Sequence, residues 1–167
     1  MKKHFILSLF FFLSLFISNA QIKTPKASPA CEISQTVGVS KISITYCRPG
    51  VKNRVVFGDL VPYDKIWRTG ANKATKISFS QDVKIDGKEL TAGDYSLFTI
   101  PTEKEWTIIF NKELNLWGTG DYSQDKDALR IKVPSISLEN HVESFTIDFN
   151  SFNSVGAELS LSWEKTK

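Results

Sequence analysis

Histidine is almost missing from this chain: there are two, His4 and His141. His4 falls in the extreme N-terminal stretch, so the body of the protein has one imidazole to work with. A two-His zinc site, a His-x-Glu deaminase site or a non-haem iron triad needs more than that on a single chain. No Gly-x-Ser-x-Gly elbow accompanies His141, so no serine-hydrolase signature is present. Phosphate-loop signals are lacking as well. Gly118-Thr119-Gly120 has neither the Lys-Ser/Thr ending nor a strand-to-helix setting. Asp121, Asp125 and Asp127 lie close together, but the glycine and closing glutamate of a calcium loop are absent. No cofactor or metal is expected from these patterns. Helical spacing is scarce, with at most one short turn over 123–128. No apolar run reaches the roughly 20 residues a membrane-spanning helix requires.

The longest apolar run, Phe5 to Ile17, is 13 residues. Lys2 and Lys3 precede it, and Ser18-Asn19-Ala20 follows, the layout of a cleavable export signal over residues 1–20. The expected location is periplasmic or extracellular. Residues 21–29, with Pro25 and Pro29, read as an extended lead-in, and 30–167 as a single domain. Without Lys2 and Lys3 the chain has 19 basic and 18 acidic residues, a balance that gives no reason to expect nucleic acid.

What the sequence has in quantity is alternation. Ile42, Ile44 and Tyr46 alternate with Ser43, Thr45 and Cys47, and the same period recurs through Ile77 and Phe79. It returns at Trp106, Ile108 and Phe110, at Leu129, Ile131 and Val133, at Phe145, Ile147 and Phe149, and at Leu159, Leu161 and Trp163. These are half-buried strands. Asp86-Gly87 between two short runs is a type I′ hairpin signal. About nine strands with one apolar face each, and little helix to cover them, predict an all-β, antiparallel β-sandwich, jelly-roll-like or partly closed into a barrel.

Two cysteines in an exported chain suggest a disulfide. The strand pattern opposes it. Pairing Val37 with Ile42 and Ile33 with Tyr46 in a hairpin around Gly38 gathers the apolar residues on one face. Cys31 and Cys47 then fall on opposite faces.

The densest stretch runs from Tyr46 to Asn72 and holds Arg48, Arg54, Tyr63, Trp67, Arg68 and Asn72 among Gly and Pro. Guanidinium forks match carboxylate or phosphate, and a tryptophan face stacks on a sugar. A second aromatic loop carries Trp117 and Tyr122. These eight are the candidate ligand-binding residues. The competing reading makes the arginines loop pins and Trp67 part of the core.

The same residues resemble a known family. Ser28-Pro29, Gln35-Thr36-Val37-Gly38, Ile44-Thr45-Tyr46-Cys47-Arg48-Pro49, Ile66-Trp67-Arg68-Thr69-Gly70-Ala71-Asn72 and Ala92-Gly93-Asp94-Tyr95-Ser96-Leu97-Phe98 look like the bacterial domain of unknown function 2911. The resemblance covers about Ser28 to Trp163 and implies exported bacterial proteins, with no catalytic residue to carry over. The expected function is a non-catalytic ligand-binding module of the cell envelope, holding a small anionic or carbohydrate ligand. The alternatives are a glycan-acting hydrolase with a carboxylate pair, and an envelope accessory protein that contacts a partner protein.

Overall fold

A computed structural model describes residues 24–167; the export signal expected over residues 1–20 and the start of the lead-in lie outside the described residues. Ten strands follow in order: β1 (Ala30–Val37), β2 (Ser40–Cys47), β3 (Thr75–Phe79), β4 (Val83–Ile85), β5 (Lys88–Leu90), β6 (Gly93–Pro101), β7 (Glu105–Asn111), β8 (Asp127–Pro134), β9 (Ser137–Asn150) and β10 (Glu158–Thr166). The predicted short turn is a single 3-10 turn at Gln124–Lys126.

Six strands form one antiparallel sheet in the order β1-β2-β3-β6-β7-β8, while β9 pairs with β10 and β4 with β5. The sheets do not close into a barrel, and the arrangement is that of a sandwich. Alternation decides what each face does. Ile42, Ile44, Ile77, Leu97, Ile108 and Phe110 point inward and meet Phe145, Ile147 and Trp163 of the second layer, all buried. Each such side chain contributes about 1.5–3 kcal/mol when fully buried. Tyr46 ties the layers together: its hydroxyl accepts from the Ile147 N–H at 3.1 Å.

The β1–β2 hairpin corrects the expected register by two residues. Ile33 lies opposite Ile44, Cys31 opposite Tyr46 and Val37 opposite Ser40. Gly38, at φ +58, lets the chain reverse over two residues rather than four. An even shift leaves every side chain on its face, so the cysteines still point apart, and both are free thiols. The Asp86-Gly87 turn is as predicted, with φ of 50 and 74.

The long connection from β2 to β3 closes one end of the sandwich. Val51, Val56, Phe57, Val61 and Trp67 are buried there. Trp67 stacks on Trp163 with centroids 5.8 Å apart and meets Phe145 and Trp106 edge-on. Such pairs add about 0.5–1.5 kcal/mol each beyond area burial. The Trp67 N–H donates to the Thr99 carbonyl at 2.7 Å and the Thr99 N–H returns the bond at 2.9 Å. Trp67 thus docks on β6, as β3 does where Thr75 pairs with Leu97. Between them, residues 68–74 make an excursion. It is held by a Thr75 hydroxyl donating to the Thr69 carbonyl at 2.6 Å and by the Trp67 indole donating to the Gly70 carbonyl at 3.0 Å. These bonds keep Thr69, fully buried and β-branched, at a φ of 52 that such residues avoid.

Candidate functional site

Register assembles the site on the outer face of the six-stranded sheet. Thr45 lies opposite Lys76, Lys76 opposite Ser96, and Ser96 opposite Asn111. A polar row therefore crosses β2, β3, β6 and β7 on the side away from the core. Further along that face Phe98 and Ile109 are fully buried, because Leu116, Ile66 and Tyr122 cover them. The cover comes from the loop after β7 and from Ile66 of the β2–β3 connection, and where it stops a cavity of about 670 Å³ opens. That volume is within the range typical of small-ligand sites.

Thr45, Lys76 and Ser96 line this cavity from the sheet. The excursion contributes Asn72, Lys73 and Ala74, the β7 loop contributes Leu114, Asn115 and Trp117, and the lead-in contributes residues 26–28. Both asparagines adopt left-handed backbone, at φ 63 and 64, which a short polar side chain tolerates. The two loops are laced together: Lys73 bridges to Trp117, and the Ala74 N–H donates to the Leu116 carbonyl at 2.9 Å. Beneath them, Asn111 donates to Asp127 at 2.7 Å and to the Ser123 carbonyl at 2.9 Å, holding both ends of the β7 loop. The walls are therefore braced by backbone pairing and buried polar bonds.

The charge in the lining is of one sign. Lys26, Lys73 and Lys76 are present, and no Asp or Glu is. Lys76 is partly neutralised by Asp94 at 2.7 Å, a pair about half exposed. The Lys76 ammonium and the Ser78 hydroxyl hold the Asp94 carboxyl below the usual carboxylate range. Lys26 and Lys73 have no carboxylate within 4.0 Å among the described residues. Trp117 is 67% exposed, its indole face open to a ligand. The lining contains one thiol, Cys47, and no histidine to activate it. No cluster of three or more His, Cys, Asp or Glu that could hold a metal ion occurs among the described residues.

Of the eight residues singled out from sequence, Asn72 and Trp117 line the cavity. The others lie elsewhere. Arg48 reaches across to β9, donating to the Phe145 carbonyl at 3.1 Å and the Thr146 hydroxyl at 2.7 Å. Arg54 bends back on its own loop, donating to the carbonyls of Val51 and Gly50. Both pin the loop through carbonyls and a hydroxyl, the competing reading of the sequence. Tyr63 packs against Gly58, and burial, then the charges of Glu103 and Glu164, push its phenol up. Trp67 is in the aromatic core. Arg68 is half-buried, and its Nε has no hydrogen-bond partner among the described residues. Tyr122 lies edge-on to Phe98 and donates to Asp127 at 2.7 Å.

Sequence reading missed Lys26, Lys73, Lys76, Ser96 and Asn115. Lys76 and Ser96 are ordinary polar strand residues until β3 is known to lie between β2 and β6, and that order is set by pairing across long loops. Asn72 and Asn115 carried the one available signal, polar residues suited to positive φ beside loop aromatics.

A family model described as "Protein of unknown function (DUF2911)" matches residues 28–167. No curated protein and no solved structure matches the chain. Among the described residues no helix is long and apolar enough to cross a membrane.

Proposed function

The chain belongs to the DUF2911 family, and we propose that it is an exported, non-catalytic ligand-binding module whose cavity on the outer sheet face takes a small anionic, sugar-like molecule. One observation carries this reading: a braced cavity of about 670 Å³ with three lysines, two asparagines and an exposed indole in its lining, and no carboxylate. Ammonium groups without carboxylate partners favour an anion. Amides and hydroxyls orient it through hydrogen bonds, and Trp117 offers a flat apolar face to a sugar ring. A glycosidase needs two carboxylates flanking the bond it breaks, which this lining does not supply.

The test is a titration of intrinsic fluorescence with glucuronate, glucose phosphate and neutral glucose. The two anions are expected to shift Trp117 emission saturably and glucose far less. Trp117→Phe removes the signal, and Lys73→Ala weakens anion binding without moving the melting temperature. Equal responses to glucose and glucuronate, or none with any probe in the wild-type protein, would overturn the proposal.

A further inference from the structure

β1, β8, β9 and β10 each present a long edge at the margin of a sheet, and three of these edges are guarded. At β8 the Lys88 ammonium donates to the Arg130 carbonyl at 3.2 Å, and Pro134 closes the strand. A register shift between Phe110 and Asn111 distorts its pairing further. β10 is bent by two register shifts, and Glu164 between them has a φ of 56. β9 is covered along part of its length by the segment after β2: Gly50 bridges to Ser144, and the Val51 N–H donates to the Glu143 carbonyl at 2.8 Å. Charges, prolines, bulges and covering segments keep a strand edge from pairing with another chain.

β1 has none of them. It runs eight residues in unbroken register with β2, without Pro, Gly or Lys. The turn decides which of its backbone groups are free. Gly38 and Val39 make a two-residue hairpin loop, so the flanking Val37 and Ser40 exchange hydrogen bonds. Every second residue back from Val37 also bonds toward β2, as far as Pro29, whose carbonyl accepts from the Arg48 N–H at 2.9 Å. Ala30, Glu32, Ser34 and Thr36 therefore aim their N–H and carbonyl groups away from β2. Among the described residues only the Thr36 carbonyl finds a partner there, the Gln35 side-chain amide at 3.0 Å, and it keeps a second lone pair. The inner row is unfinished as well. Cys31, Ile33 and Val37 pack against the core yet are only half-buried.

We propose that β1 pairs with β1 of a second copy of this chain, antiparallel, about a two-fold axis normal to the sheet at Ile33, so that two six-stranded sheets become one. The strand's own pattern selects this partner and this register. With Ile33 opposite Ile33, Ala30 lies opposite Thr36 and Glu32 opposite Ser34. All four residues with free backbone groups then fall in reciprocal hydrogen-bonded pairs. Centring on Glu32 or on Ser34 leaves one of them facing the lead-in or the turn, and centring on Glu32 also sets two carboxylates against each other. On the inner face the two Ile33 side chains meet and bury surface that the two-stranded second layer leaves open. The pairing requires no ligand in the outer-face cavity, so it stands or falls apart from the proposed function.

The test is sedimentation velocity of the purified protein from micromolar to near-millimolar concentration. A reversible monomer–dimer equilibrium is expected. Ser34→Pro removes an N–H that faces away from β2, a change an edge strand tolerates. It should weaken the dimer about tenfold or more, one hydrogen bond being lost in each copy, and leave the melting temperature of the dilute monomer within a few degrees. Ser34→Lys places a cation opposite Glu32 and should strengthen the dimer, an effect that fades with salt. Cross-linking in a Cys31→Ser, Cys47→Ser background reads the register. Residues opposite each other in a non-hydrogen-bonded pair are about 4.5 Å apart at Cα, close enough for a disulfide. Ile33→Cys should therefore give a covalent dimer with oxidised glutathione, and Gln35→Cys should not. Monomer at every concentration would overturn the proposal. A dimer that Ser34→Pro leaves intact, or cross-linking by Gln35→Cys as readily as by Ile33→Cys, would do the same.

Discussion

The Tyr122 hydroxyl donates to Asp127 Oδ2 at 2.7 Å, and Asn111 donates to the other oxygen of the same carboxylate at 2.7 Å. One carboxylate therefore holds the β7 loop against the outer sheet face. Burial, and then the bond to Asp127, push the Tyr122 phenol up to about 12. Folded Tyr122 thus keeps its proton at a pH where the unfolded phenol, near 10, has lost it. The stabilisation is complete below about pH 10 and is lost as pH rises toward 12. Tyr122→Phe should cost about 1 kcal/mol at pH 8, for one hydrogen bond to a charged group at a partly exposed site. Tyr46 and Tyr63 are also raised and will titrate in both proteins, so the reading is a difference. Urea midpoints for wild type and variant should converge between pH 10 and 12. Parallel curves would remove Tyr122 as the origin.

The cysteines yield a redox prediction. Cys31 faces Tyr46 across the hairpin, and Cys47 faces Ala30, so the two thiols leave the ribbon on opposite sides. A bridge would need a one-residue slip that turns Ile42, Ile44 and Tyr46 out of the core. Protein purified without reductant should therefore show two thiols per chain on titration in denaturant. Changing both residues to Ser should move the melting temperature by no more than a few degrees. A count of zero would mean that the hairpin pairs in another register.

Arg48 and Lys73 separate scaffold from site. The Arg48 guanidinium satisfies the Phe145 carbonyl and the Thr146 hydroxyl, so Arg48→Ala leaves both short of a partner. A loss of about 1–3 kcal/mol in unfolding free energy is expected. Lys73 is exposed and within the cavity lining, and its removal should leave stability within about 0.5 kcal/mol. Denaturant melts of the two variants check the contrast, and comparable losses would mean that the excursion is a structural prop.

Much of the sandwich was legible because alternation is a local property. The faces of β2, β3, β7, β8, β9 and β10 follow from period two, and Asp86-Gly87 names its own turn. The β1–β2 register was misread because two registers differing by two residues bury the same side chains. Gly38 at positive φ, followed by Val39, selects the tighter one. The site was less legible. Arg48 and Trp67 stand out by residue type, yet their partners, Phe145 and Trp163, are about a hundred residues away. Lys76 and Ser96 acquire meaning only as cross-strand neighbours, and nothing within either strand announces the pairing.

Gly70 tests whether the excursion that carries Asn72 and Lys73 is as tightly specified as its hydrogen bonds imply. Its φ of +152 is in the region that L side chains avoid. A Cβ there would come within 3.1 Å of the Cys47 carbonyl oxygen and 3.2 Å of the Thr75 hydroxyl. Thr75 has nowhere easy to go, since its hydroxyl is bonded to the Thr69 carbonyl at 2.6 Å and the residue is fully buried. Gly70→Ala should therefore combine backbone strain with the loss of that bond, at about 2–4 kcal/mol. Gly87 is the control: its φ is +74, but nothing lies within 4 Å of an added Cβ. Gly87→Ala carries the backbone term alone, about 1 kcal/mol. Urea melts of the two variants should differ by at least 1 kcal/mol, and Gly70→Ala should also weaken anion binding at the outer cavity. Equal losses would mean that the excursion yields to a methyl group and that its rigidity comes from elsewhere.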